Sequence, residues 1–131
     1  MFKNRAQKKH LKKKILVTKW KIWDIEFLRD QFKLTREGFR VEYDRLGELI
    51  DAANTRISQE KEKEDPDKTI MEQLENLKNR YEPDREKLKH QMATIDTQIE
   101  GPAPAGGSCL NENIENLRTV VGLLQERIKK L

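Results

Sequence analysis

Residues 110–131 repeat with a period of seven. Leu110, Leu117, Leu124 and Leu131 fall every seven residues, and Ile114, Val121 and Ile128 fall every seven between them. In heptad terms every d position is Leu and every a position is β-branched. With 35% of the chain apolar, seven apolar residues in seven chosen slots has a chance of about 0.0006 per register. A helix carrying such a stripe must bury it against a neighbouring helix. The pattern therefore sets the fold class: all-α, built from helices that pack along narrow seams.

Composition agrees. Charged residues make up 38% of the 131 and aromatic residues only 6%. That is too little apolar material for an ordinary globular interior, which leaves disorder or long helices with thin seams. Regular leucine spacing favours the helices. The length suits one domain.

A first helix is expected from about Asn4 to about Ser58. Phe39, Tyr43, Leu46, Ile50, Ala53 and Ile57 are spaced alternately by four and three, one seam on one face. Gly38 and Gly47 each cost roughly 1 kcal/mol relative to Ala, so a kink or break near Leu34 to Gly38 is an option. A turn is expected over 59–65, where Glu and Lys alternate. Asp65 reads as an N-cap and Pro66 as the first residue of a second helix that runs to about Glu100. Its seams are Ile70, Leu74, Leu77, Tyr81 and then Leu88, Met92, Ile95, Ile99. The two are out of phase by half a heptad, and Pro83 lies in the gap, so a kink is expected there. Together, residues 24–100 read as a long antiparallel helical hairpin or coiled coil. Residues 101–109 form a Gly/Pro linker, after which Ser108 or Asn111 can cap the heptad helix of 110–131.

The heptads have two uses. The helix can pack against the other two in a bundle, or it can self-associate. In outline it resembles a leucine zipper. A basic-zipper transcription factor needs a basic helix running straight into the zipper, whereas a Gly/Pro linker stands here, so that family is set aside.

Residues 1–23 form a basic, Trp-containing helical segment. They hold Lys3, Arg5, Lys8, Lys9, Lys12, Lys13, Lys14, Lys19 and Lys21, with no acid before Asp24. The formal charge of the whole chain is +4, so the remainder is net acidic. Lys3, Arg5, Lys8, Lys9, Lys12, Lys13 and Lys14 suit non-specific contact with nucleic-acid phosphate or an anionic surface. They lack the side-chain pattern of base reading. Next comes a stretch dense in apolar residues, where Leu16, Trp20, Trp23 and Phe27 share a face and Ile15, Ile22, Ile25 and Leu28 spread around the rest. A segment apolar on several sides needs several neighbours. It is expected to project beyond the hairpin and to anchor a partner through the tryptophans.

No catalytic or metal-binding constellation is evident. Glu86 and His90 stand four apart as an ordinary helical pair, and Cys109 is the only cysteine. No cofactor or small-molecule substrate is expected. No apolar run approaches the roughly 20 residues of a membrane span, and no secretion signal is evident. The expectation is a soluble, intracellular or particle-associated protein. Its leading reading is a non-catalytic assembly subunit of a homo-oligomer or a larger particle such as a virion. The alternatives are a nucleic-acid-associated protein and a peripheral membrane tether.

Overall fold

A computed structural model describes residues 2–102 and 107–131, with side chains from residue 4 onward. It is all-helical: α1 spans Phe2–Lys61, α2 Lys68–Glu100 and α3 Leu110–Lys129. No strand occurs among the described residues. Residues 103–106, part of the expected linker, lie outside the described residues, as does the Lys3 side chain.

The chain divides into two compact units. The first comprises Met1–Lys33 with Asp96–Leu131, the second Leu34–Ile95.

In the second unit the inner face of α1 carries Arg36, Phe39, Tyr43, Leu46, Ile50, Ala53, Ile57 and Glu60, all buried or half-buried. The expected distal seam is thus extended by a charged residue at each end. On α2 the inward residues are Ile70, Leu74, Lys78, Tyr81, Arg85, Leu88, Met92 and Ile95. Two expectations are corrected here. Leu77 is off the seam and 40% exposed, and half-buried Lys78 takes its place. The half-heptad gap between Tyr81 and Leu88 is filled by Arg85. The Arg85 guanidinium donates from Nε to the Tyr43 carbonyl oxygen at 3.2 Å and lies 4.0 Å from the Tyr43 ring centroid. A charged side chain can occupy a seam this way because its methylene stem packs while its head finds an acceptor and a π face. Gly47 makes room: a β-carbon there would stand 2.8 Å from Arg85 Cζ. Pro83 sits inside an unbroken α2, although it withholds the N–H that the Asn79 carbonyl would accept. Nor does α1 break between Leu34 and Gly38.

The turn falls at 62–67, later than the expected 59–65, because one more helical turn of α1 is held by Glu60. This carboxylate is 6% exposed. It accepts from Lys63 Nζ at 2.8 Å and from the Asp67 backbone N–H at 2.8 Å. The Lys63 hydrogen bond, then the Asp67 amide, hold its pKa below the usual carboxylate value. The N-cap of α2 is Asp67 and not Asp65. Its Oδ1 accepts from the Thr69 and Ile70 amides at 2.9 and 3.2 Å, while its carbonyl oxygen accepts from Met71 N–H. Pro66 consequently precedes the helix.

In the first unit α2 stops at Gly101, whose φ of 82° is left-handed backbone that a β-carbon disfavours. α3 begins at Leu110 with Cys109 at the N-cap, in place of the expected Ser108 or Asn111, and no side chain caps it. Cys109 is instead buried, at 3% exposure.

Candidate functional site

α3 lies antiparallel along the first half of α1. Asn4 Nδ2 donates to the Leu131 carbonyl oxygen at 3.3 Å, and Arg29 Nη1 donates to Asn111 Oδ1 at 3.4 Å. Arg118 bridges to Glu26 at 3.3 Å between them. Ile114, at 2% exposure, and Val121 pack with Ile22 of α1, and Ile15, Ile25 and Leu117 close around them. All seven heptad residues of α3, Leu110, Ile114, Leu117, Val121, Leu124, Ile128 and Leu131, are buried or half-buried. The N-terminal segment, expected to project beyond the hairpin, therefore has a helix of its own chain along one face.

The face that α3 covers is not the one with the largest side chains. α1 turns Lys8, Leu11, Ile15, Thr18, Ile22, Ile25, Arg29 and Phe32 inward. This seam keeps the same three-four alternation as the distal half. Polar residues fit at two of its slots for physical reasons: Thr18 satisfies its hydroxyl on the Lys14 carbonyl at 2.8 Å, and Arg29 reaches Asn111. The face named as the partner anchor is left outside. Leu16 is 48% exposed, Trp20 50%, Trp23 65% and Phe27 67%. Leu28 is also exposed, whereas Ile22 is buried.

The antiparallel docking gathers positive charge that sequence separates by more than a hundred positions. Three open grooves run along the α1–α3 contact. One, about 520 Å³, is lined by Asn4, Arg5, Lys8, Lys9, Lys12 and Leu131. A second, about 460 Å³, is lined by Gln7, His10, Leu11, Lys14, Arg127 and Leu131. The third, about 500 Å³, is lined by Val17, Val120 and Leu124 together with His10, Lys13, Lys14, Thr18 and Lys21. None of these lining residues is acidic. Arg127 escapes a reading of the sequence, because only the docking brings it into a groove with His10 and Lys14; Lys129 and Lys130 follow it at the end of α3. Their position suits the negative end of the α3 dipole, but the first turn of α1 has no acid and holds Arg5 where the dipole is positive.

Elsewhere the surface holds ordinary helical pairs. Arg40 bridges to Glu37 and Asp44, Arg45 to Glu42, and His90 approaches Glu86 at 3.4 Å with both side chains exposed. Among the described residues no group of three His, Cys, Asp or Glu side chains could hold a metal ion. Among them, too, no helix is long and apolar enough to cross a membrane. The chain matches no family model, no curated protein and no solved structure.

Proposed function

We propose that this protein is a non-catalytic helical assembly subunit that holds neighbouring molecules on the outward face of α1. The observation that supports this reading is the division of α1 into two apolar faces. One is covered by α3, and the other, with Leu16, Trp20, Trp23 and Phe27, is at least 48% exposed at every position. Two tryptophans and a phenylalanine on open surface are costly in water, and aromatic anchors of this kind dominate protein interfaces. Size fractionation of an extract from the native source tests it. The chain is expected in an assembly well above monomer size, with a Trp23→Asp/Phe27→Asp variant of unchanged circular dichroism running as the monomer. A wild-type chain running alone contradicts the reading.

A second reading, non-specific contact with nucleic-acid phosphate, draws on a separate observation. α1 and Arg127 of α3 contribute cations to grooves whose linings hold no acidic side chain, and α1 keeps basic residues against its own dipole. A phosphate backbone there relieves both repulsions at once.

A further inference from the structure

The outward face of α1 is self-complementary when its sequence is reversed. At 100° per residue, Leu16, Trp20, Trp23 and Phe27 lie roughly 150° around the helix from the seam that packs on α3. A molecule docked there therefore need not displace α3. The face is spaced four, three, four, as a helix–helix seam requires. One heptad step before Trp20 and one after Trp23, the same stripe passes through Lys13 and Asp30. It is thus cationic at one end, aromatic in the middle and anionic at the other.

We infer that a second copy of this chain docks antiparallel on this face, with Trp20 of each copy against Trp23 of the other. This deepens the assembly reading and rests on it. In that register Leu16 meets Phe27 and Lys13 meets Asp30, each pair occurring twice about the two-fold axis. A contact in which residue i meets j, and j meets i, is what a closed two-fold dimer requires. On the rim Lys12 faces Lys33, one like-charged pair, and Lys19 faces Glu26, which each chain already bridges to Arg118 of α3. The parallel alternative stacks Lys13 on Lys13 and Asp30 on Asp30, so charge selects the antiparallel orientation while the apolar centre supplies the attraction.

The side chains involved are accessible: Trp23 and Phe27 are 65% and 67% exposed, and Asp30 is 63% exposed beside Arg29. Changing them leaves the α1–α3 core intact.

Sedimentation equilibrium of the full chain tests the inference. The wild type is expected to be in monomer–dimer equilibrium. Lys13→Glu and Asp30→Lys should each weaken the dimer by about tenfold or more, and the double variant should restore it, because the exchanged charges again face each other. Trp23→Asp/Phe27→Asp should be monomeric with its helical circular dichroism retained. A dimer that survives Trp23→Asp/Phe27→Asp, or single charge variants that the double variant does not rescue, overturns the docking mode. A pure chain that stays monomeric overturns it too. If extracts of the native source still show a large assembly, the assembly reading stands with a different occupant; if they also show a monomer, both fall.

Discussion

Replacing Ile114 with Ala is expected to cost about 3 kcal/mol and to loosen the α1–α3 contact selectively. Ile114 is 2% exposed and sits between Val121 and Ile22, so truncation leaves a cavity that two facing helices cannot fully close. The loss is large against the roughly 5–15 kcal/mol that hold a typical domain. Most of a helix's stability in a protein comes from packing of its apolar face, which makes the 20-residue α3 dependent on this contact. Ile114→Asp should be more severe, since a carboxylate there has no partner to replace its water. Hydrogen exchange read along the chain is the measurement. Protection should fall over 8–29 and 110–129 and persist at 46–60 and 85–95. Uniform loss of protection along the chain, or none, contradicts this assignment of the core.

The second large effect concerns the basic grooves. The phosphate-contact reading predicts that duplex DNA or RNA binds with a steep salt dependence. The logarithmic slope should fall by about 0.9 for each duplex-DNA phosphate contact removed. Changing Lys8, Lys9, Lys12, Lys14, Arg127 and Lys129 to Gln removes six charges from both sides of the contact, and affinity at low salt should drop on the order of a thousandfold. The α3 residue is the informative part. Arg127→Gln alone should reduce the slope, because docking places Arg127 in a groove with Lys14 of α1. Binding that depends only on α1 residues contradicts a composite surface. Binding to anionic vesicles with no binding to nucleic acid sinks the phosphate-contact reading and favours a lipid surface.

Much of this architecture was legible from residue spacing. The α3 heptads and the distal half of the α1 seam are dominated by aliphatic residues at regular intervals, and side chains of that kind have no other use for such spacing. The proximal half of α1 was not legible for a physical reason. Its inner slots include Lys8, Thr18 and Arg29, while its outer face holds Trp20, Trp23 and Phe27. Hydrophobic size points to the outer face, but α3 packs on the inner one. Polar residues fit in the inner one only because Thr18 bonds its own helix backbone and Arg29 finds Asn111 on α3. The same applies to Arg85, which made the α2 seam look interrupted until Tyr43 supplied an acceptor and a ring. The turn lies a few residues beyond its expected place because Glu60, one more acid in an alternation of Glu and Lys, gives no sign in the sequence that it is buried and bonds the Asp67 amide. The basic surface was half legible. Its α1 portion is contiguous, and its α3 portion exists only through the fold.

α3 closes on α1 of its own chain, which leaves the tryptophan face outward. The most direct test is pulsed electron paramagnetic resonance on a chain carrying Cys109→Ala with spin labels at Lys9→Cys and Lys129→Cys. A single short distance is expected, unchanged when the labelled chain is refolded with a large excess of unlabelled chain. Loss of that distance on dilution would mean that α3 packs on a neighbouring molecule, and the claim would fail.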